Sequence, residues 1–184
     1  QYGLEPKALT TSYAMAENVF AVTQGGIQTP VQIDFIDRKM FVEKQIARQV
    51  KGLQYQEEAL QAKEVMDDPD ILCMLSAGHP IEGTRVSVLD PEGIALEDRV
   101  VGEIAIQSDC MLTGYYHRPD LTEKAFLDGW FLTGDLGYQV NDQLFITGRK
   151  KDIIIVGGKN IYPQDLERLA GEVEGGALLL RVRQ

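Results

Sequence analysis

Short runs of apolar and β-branched residues, separated by turn-forming residues, recur along most of the chain. This pattern is typical of β-strands bounded by Gly, Pro and Asp turns. The runs cover residues 71–77, 84–89, 102–107, 130–133, 138–140 and 144–147. Asn141 and Asp142 separate the last two runs and predict the turn of a β-hairpin. The sequence therefore predicts a body that is rich in β-structure.

Two segments have the composition of helices, and the N-terminal region has neither the strand pattern nor the helical one. Residues 40–66 lack Pro and are rich in Lys, Glu, Gln and Ala, so they predict a helical or partly helical segment that ends at residues 67–70. Asp120 with Glu123 three positions later predicts a helix start with Asp120 as its N-cap. Residues 1–30 mix apolar residues with Thr, Gly and Gln and predict an irregular segment that closes an α/β layer.

The pattern changes again after residue 147. A polar, basic joint at residues 148–152 precedes a short aliphatic run at 153–156, which predicts a buried strand followed by a Gly157-Gly158 turn. Pro163 suits the first position of a helix that runs through Leu169, and residues 177–182 predict one more strand. We therefore expect a second α+β unit to begin just beyond the joint.

Composition narrows the possible functions. The 184 residues include 18 Lys and Arg against 28 Asp and Glu, a net charge of −10, so nucleic acid and anionic lipid are unfavourable partners. The longest purely aliphatic run is residues 153–156, which is too short to span a membrane, and we expect a cytoplasmic protein. Cys73 and Cys110 lie far apart in apolar stretches and predict reduced core thiols, not a zinc site.

Three clusters carry residue types that suit nucleotide chemistry. Tyr13 precedes Glu17 by four positions, Asp135 follows Thr-Gly after a predicted strand, and residues 149–151 are three consecutive cations. A carboxylate can accept hydrogen bonds from a vicinal diol, and cations can surround a polyphosphate. Each cluster also has a structural interpretation: a core Tyr beside a surface Glu, an Asp in a turn, and a solvated basic linker.

Taken together and in order, the clusters resemble motifs of the adenylate-forming (acyl-activating, AMP-binding) enzyme superfamily. Residues 13–17 resemble its Tyr-Gly-x-Thr-Glu segment, with Ala14 and Ala16 in place of Gly and Thr. Residues 102–106 with 113–116 resemble its Gly-Glu-(Ile/Leu)…Gly-Tyr block, residues 133–135 its Thr-Gly-Asp, and residues 148–152 its hinge. The resemblance covers essentially residues 1–175 and is carried by four motifs.

Within that superfamily, the sequence is most similar to fatty-acyl-AMP ligases. Residues 147–156 and 158–167 resemble their hinge block, and residues 75–80 resemble their Val-Ser-Cys-Gly-x-Pro segment, with Ala77 in place of Cys. The long connection from Glu17 to Gly78 also resembles the insertion of these ligases, which is thought to restrain their moving C-terminal domain. Residues 40–66 are the candidate insertion.

The resemblance implies a set of site residues. Tyr13 would stack on adenine, Glu17 would help to hold Mg²⁺ on the phosphates of ATP, and Asp135 would bind the ribose hydroxyls. Arg149 would assist at ribose or phosphate, and Lys151 would be the pivot between half-reactions. The implied nucleotide-binding residues are Tyr13, Met15, Ala16, Glu17, Asp135 and Arg149, and the implied catalytic residues are Arg149 and Lys151.

The resemblance also implies an α+β fold. Residues 1–150 would form the C-terminal part of a large AMP-binding domain with a β-barrel-like subdomain, and residues 151–184 would begin a small mobile α+β domain. The phosphate loop and the C-terminal catalytic Lys of the family would lie outside the sequence, so the chain alone would not complete adenylation. The chain does not begin with Met and is expected to be part of a longer polypeptide.

The expected activity is ATP-dependent activation of a fatty or related carboxylic acid as acyl-adenylate, followed by transfer to the thiol of a carrier protein. Two alternatives remain open at this stage. One is an acyl-CoA synthetase of the same superfamily, which would use coenzyme A as the acceptor. The other is a non-catalytic module, which would not bind ATP because it lacks the phosphate loop.

Overall fold

The computed structural model describes residues 8–27, 30–50, 68–156 and 159–161, with positions 163, 166 and 170 in addition. The described strands are β1 (Thr11–Ala14), β2 (Ala21–Gly25), β3 (Ile33–Asp37), β4 (Ile71–Pro80), β5 (Thr84–Leu89), β6 (Gly102–Ser108), β7 (Phe126–Leu127), β8 (Trp130–Val140), β9 (Gln143–Arg149), β10 (Ile154–Val156) and β11 (Lys159–Ile161). The described helices are α1 (Arg38–Lys44) and α2 (Pro119–Ala125), and Ala16–Asn18 form a 3₁₀ turn.

Nine of the strands form one antiparallel sheet. Its main path runs β1-β2-β4-β9-β8-β6-β5, with β3 paired to β4 and β7 paired to β8, while β10 and β11 form a separate hairpin. The expected α+β fold is confirmed. The expected barrel-like closure is wrong, because β1 and β5 lie at opposite edges of an open sheet and do not pair in the described part of the chain.

The hairpin at residues 141–142 is confirmed. Val140 pairs with Gln143, and both turn residues have positive φ angles, 49° for Asn141 and 62° for Asp142. Asn and Asp tolerate this left-handed conformation better than other non-glycine residues, which explains the tight turn. The two predicted runs before the turn are parts of one strand, since β8 continues through the Thr-Gly-Asp motif.

Side chains alternate between the two faces of the sheet, and each face carries its own core. On β9, Phe145 belongs to one cluster and stacks on Tyr138 of β8, with ring centroids 4.9 Å apart. The neighbouring Leu144 belongs to the cluster on the opposite face, together with Ile104 and Ile106 of β6. Both faces are thus partly covered by apolar packing, which holds the long strands β8 and β9 in place.

A buried charge lies in the first of these cores. Asp34 on β3 is 2% exposed, and its Oδ2 accepts hydrogen bonds from Arg99 Nη1 at 2.9 Å and from the Tyr138 hydroxyl at 2.9 Å. The same Arg99 nitrogen also donates to the carbonyl oxygen of Ala47 at 2.8 Å. A buried carboxylate needs such partners because it has lost its hydration. This cluster ties β3 to β8 and to the segment after α1.

The prediction for residues 1–30 is wrong within the described residues. The segment forms the β1–β2 hairpin, in which Tyr13 pairs with Thr23. The buried Thr23 donates its hydroxyl to the carbonyl oxygen of Ala77 at 2.7 Å, and the buried Val22 joins the second core. Polar side chains of β2 can therefore be buried because they form hydrogen bonds within the protein. For this reason β2 lacks the apolar–polar alternation by which a strand is predicted from sequence.

The helical prediction for residues 40–66 is correct only at its start. Helix α1 ends at Lys44, Gln45 adopts a left-handed conformation, and Ile46 and Gln49 form β-bridges with Val100 and Ile36. Residues 51–67 lie outside the described residues. Pairing with the sheet therefore overrides the helical propensity of residues 46–50.

Three further predictions need correction. Helix α2 has Arg118 as its N-cap and Pro119 in its first turn, and Asp120 instead pairs with the Arg118 guanidinium. Cys73 and Cys110 are free thiols, but both are exposed, not in the core. The strand predicted at residues 153–156 forms as β10, but the prediction that it is buried is wrong at Ile154, which is 45% exposed because β10 pairs with β11 in a hairpin separate from the large sheet. Residues 157–158 and 171–184 are outside the described residues, while positions 163, 166 and 170 are helical.

Candidate functional site

An open cleft of about 650 Å³ lies where β1, β8 and β9 come together. Its lining residues are Tyr13, Ala14, Met15, Ala16, Glu17, Thr133, Gly134, Asp135, Arg149, Lys150 and Lys151. Every residue that the sequence motifs single out for nucleotide binding or catalysis is in this set. The structure thus gathers three segments, the first of which lies more than one hundred residues before the other two in the chain.

Asp135 is the central group of the cleft. Its side chain is 13% exposed, and the Tyr13 hydroxyl donates a hydrogen bond to Oδ2 at 2.6 Å. Arg149 approaches the other oxygen, with Nε 3.1 Å from Oδ1. A carboxylate has about four lone-pair sites, so two such contacts leave room for two further donors.

The Thr-Gly-Asp segment of β8, which carries Asp135, is fixed by hydrogen bonds on both sides. The Thr133 hydroxyl donates to the carbonyl oxygen of Ile104 at 2.7 Å and accepts from the Asp135 backbone N–H at 3.0 Å. Gly134 has a φ of 74°, which favours glycine at this position. Its N–H donates to Glu103 Oε1 at 3.1 Å, so this segment of β8 is held against β6.

Glu103 also connects this segment of β8 to the joint after β9. Its Oε2 accepts a hydrogen bond from Lys150 Nζ at 2.7 Å, and the Lys150 backbone N–H donates to the Gly134 carbonyl oxygen at 2.8 Å. Residue 150 is therefore held to the large sheet through its backbone and its side chain. Lys151 follows directly, in a turn closed by a 3.1 Å hydrogen bond from the Asp152 N–H to the Arg149 carbonyl oxygen.

Glu17 lies on the 3₁₀ turn between β1 and β2. Its backbone carbonyl oxygen accepts from the Leu112 N–H at 2.8 Å, and its Oε1 accepts from the Tyr115 hydroxyl at 3.1 Å. Val19 closes this turn with a φ of 62°, an uncommon conformation for a β-branched residue that the surrounding contacts must maintain. One loop that is distant in sequence therefore holds the Glu17 backbone through Leu112 and its carboxylate through Tyr115.

The donor set limits how the cleft could hold a metal ion. Within the described residues, no group of three or more His, Cys, Asp or Glu side chains is arranged to hold a metal. Mg²⁺ usually binds through one or two carboxylates together with substrate phosphates and water. A single carboxylate at Glu17 fits an ion that arrives with a polyphosphate and does not fit a resident metal cage.

Sequence motifs did not identify every residue that shapes the cleft. Glu103 and Tyr115 are members of recognised motif blocks, but their contacts to Lys150 and Glu17 join strands and loops that are not neighbours in sequence. The sequence indicates Lys150 only as the middle of three consecutive cations. The sequence signal that could have identified Glu103 is an acidic residue directly before the apolar run Ile104–Ile106; its side chain is 13% exposed in the structure.

The chain is similar in sequence and in fold to several known proteins. No protein-family model matches the chain. YdaB, a putative acyl-CoA ligase of Bacillus subtilis, is 43% identical over 102 residues, which is 54% of this chain and 20% of YdaB. ScoC, a fatty acid–acyl-carrier-protein ligase of Streptomyces coeruleorubidus, is 41% identical over 97 residues, 52% of this chain and 19% of ScoC. A solved structure from studies of fatty acyl-adenylate ligases of E. coli and L. pneumophila has a TM-score of 0.77 at 26% identity and covers 93% of this chain and 28% of that chain.

In sequence and in fold, the chain is similar to part of known acid-activating ligases. The resemblance to adenylate-forming enzymes is confirmed, since the curated relatives are acyl-CoA and fatty-acid ligases and the similar structures include fatty acyl-adenylate ligases and adenylation domains. The chain spans only about a fifth to a third of these proteins, from 19% of ScoC to 31% of one adenylation domain. In the described part of the chain, no helix is long and apolar enough to cross a bilayer.

Proposed function

We propose that the chain is part of an enzyme that activates a fatty or related carboxylic acid as acyl-adenylate and transfers it to a carrier-protein thiol. The observation that carries the proposal is the cleft itself. Tyr13, Glu17, Asp135, Arg149 and Lys151 come from three separate segments and line one space. As isolated packing or linker residues, they would have no reason to converge.

The chemistry suits a site that positions its substrates. A carboxylate oxygen of the acid forms a bond to the α-phosphorus of ATP, while the bond between that phosphorus and the pyrophosphate oxygen breaks. The products are acyl-adenylate and pyrophosphate. In this proposal Asp135 binds the ribose hydroxyls, and Arg149, with its forked N–H donors, assists by donating hydrogen bonds to ribose or phosphate. Such a reaction needs orientation and charge neutralisation more than covalent help from the protein.

A magnesium ion bound with ATP would neutralise phosphate charge. Glu17 is the residue of the cleft that would hold it, and the Tyr115 hydroxyl orients the carboxylate for that task. Tyr13, Met15 and Ala16 would form the adenine side of the site, on the segment that ends at Glu17.

In the same proposal, residues 1–150 form the C-terminal part of the AMP-binding domain and residues 151–184 begin the mobile domain. The two contacts of Lys150 to the sheet explain why rotation would begin at Lys151, the first residue beyond them. The acceptor proposed is a carrier protein, which is supported by the similarity to ScoC and to a fatty acyl-adenylate ligase structure. The enzyme would act in the cytoplasm, where ATP and reduced carrier thiols are available.

Product analysis tests this proposal. The complete gene product that carries this chain is incubated with ATP, Mg²⁺ and a panel of fatty acids, with and without coenzyme A, and the products are identified by mass spectrometry. We expect acyl-AMP that coenzyme A does not consume. Rapid conversion to acyl-CoA would establish the acyl-CoA synthetase alternative, which the similarity to YdaB favours. No adenylate from any acid would favour the non-catalytic module.

The Lys150–Glu103 ion pair provides a first mutational prediction. Lys150→Met is expected to lower kcat/KM for ATP about three- to ten-fold, because the segment of β8 that carries Asp135 loses one of its restraints. Stability should change by less than about 1 kcal/mol, since the Lys150 side chain is 60% exposed. Lys124→Met, which changes an exposed lysine of α2 outside the cleft, is the matched control. Equal activity of the two variants would refute a role for the pair.

A further inference from the structure

The Tyr13 hydroxyl has a partner that ring stacking does not explain. Stacking on adenine needs only an aromatic face, which Phe or Trp would also provide. In this chain the ring is 7% exposed and packs in the core beside Val22 and Ile104, while the hydroxyl reaches Asp135 Oδ2 at 2.6 Å. The hydroxyl donates its hydrogen bond to Asp135, the carboxylate that binds the ribose hydroxyls in the proposed function.

The contact fixes the direction of the carboxylate. Asp135 lies on β8 and Tyr13 on β1, strands that are not neighbours in the sheet. Tyr13 holds Oδ2 and Arg149 holds Oδ1, so rotation of the carboxylate about its terminal bond would break both contacts. Each oxygen keeps about one further lone pair, which matches the two adjacent hydroxyls of a ribose.

We propose that the Tyr13 hydroxyl is a positioning group for ribose recognition: it holds Asp135 so that both carboxylate oxygens are presented to the vicinal diol of the nucleotide. This inference rests on the proposed function, because it assumes that Asp135 binds ribose. It assigns to Tyr13 a second task, separate from contact with the base.

The protonation state of Tyr13 is compatible with this task. Burial, and then the hydrogen bond to Asp135, raise the pKa of Tyr13 well above its usual range. The hydroxyl therefore remains a donor at every pH at which a folded protein would be assayed.

Nucleotide discrimination tests the proposal. The affinities of AMP, 2′-deoxy-AMP and 3′-deoxy-AMP are measured by calorimetry for the complete gene product and for Tyr13→Phe, which keeps the ring and removes only the hydroxyl. Tyr13→Phe should bind AMP about three- to ten-fold more weakly, and its preference for AMP over the deoxy nucleotides should shrink by a similar factor. In turnover, KM for ATP should rise more than kcat falls.

Two further variants separate positioning from general destabilisation. Tyr138→Phe removes another buried hydroxyl that donates to a carboxylate, Asp34, outside the cleft, and should leave the discrimination ratios unchanged. On an Asp135→Asn background, Tyr13→Phe should cause almost no additional loss of discrimination, because the two groups act as one unit.

The possible failures are distinguishable. A wild-type protein that forms no adenylate and binds no AMP would overturn the proposed function, and this inference with it. An active wild-type protein whose Tyr13→Phe variant keeps full discrimination would overturn only the inference. Weaker AMP binding with unchanged discrimination would show that the hydroxyl supports the fold and not ribose recognition.

Discussion

Asp135→Asn is expected to lower kcat/KM for ATP by about ten- to one-hundred-fold. The substitution keeps the size of the side chain and removes the negative charge. A hydrogen bond to a charged group contributes about 1.5–3 kcal/mol, and about 1.4 kcal/mol corresponds to a factor of ten. The charge also holds the Arg149 guanidinium through the 3.1 Å contact to Nε, so the variant should disturb ribose and phosphate binding together.

The measurement is steady-state formation of acyl-AMP by the complete gene product over a range of ATP concentrations. Asp142→Asn is the matched control: it makes the same chemical change in the exposed β8–β9 turn, at a φ of 62° that Asn tolerates. We expect the control to retain wild-type kinetics. If both variants do so, Asp135 does not bind ATP, and the cleft must act on another ligand.

The sheet could be predicted where strand residues alternate between core and solvent or between two cores. Strands β5, β6 and β9 lie close to their predicted bounds because apolar residues recur at every second position or fill both faces. Strands β1 and β2 could not be found in this way. Their polar residues are satisfied by contacts such as the Thr23 hydroxyl to Ala77, which are set by the tertiary structure.

Helical propensity also gave a wrong prediction where a segment pairs with the sheet instead of forming a helix. Composition favours a helix from residue 40 onwards, but after Lys44 the chain turns at Gln45 and follows β3 and the loop before β6. The backbone N–H of Ala47 donates to the Arg99 carbonyl oxygen at 2.7 Å, and that of Val50 to Phe35 at 2.9 Å. These distant partners outweigh a helical preference of a few tenths of a kcal/mol per residue, about the spread of ordinary propensities.

The candidate site was predictable as a set of residues but not as a geometry. Motif order and residue chemistry singled out Tyr13, Asp135 and Arg149 without the structure. The bond between Tyr13 and Asp135 crosses 122 positions of sequence and two strands that are not adjacent in the sheet. No local pattern encodes such a contact, because it depends on the order in which all intervening strands pair.

The largest stability effect is expected from the buried charge in the first core. Arg99→Met should lower the free energy of unfolding by about 3–4 kcal/mol, because it leaves the Asp34 carboxylate buried with only the Tyr138 hydroxyl of its two donors. Asp34 is 2% exposed, so its carboxylate has little access to water, and its Oδ1 has no hydrogen-bond partner among the described residues. Met retains most of the aliphatic packing of Arg, and neither residue is favoured at the φ of 70° found there.

Arg48→Met is the matched control, since it removes the same group from an exposed pair with Asp37. The Arg48 side chain is 59% exposed, and the pKa of Asp37 is lowered first by the Met40 backbone N–H and only then by Arg48. We therefore expect a change of less than about 0.5 kcal/mol. Urea unfolding followed by tryptophan fluorescence, with equal m-values required, compares the variants. Similar small losses for both would mean that water or a relaxed side chain compensates Asp34, and that the cluster does not hold β3 to β8 as the contacts imply.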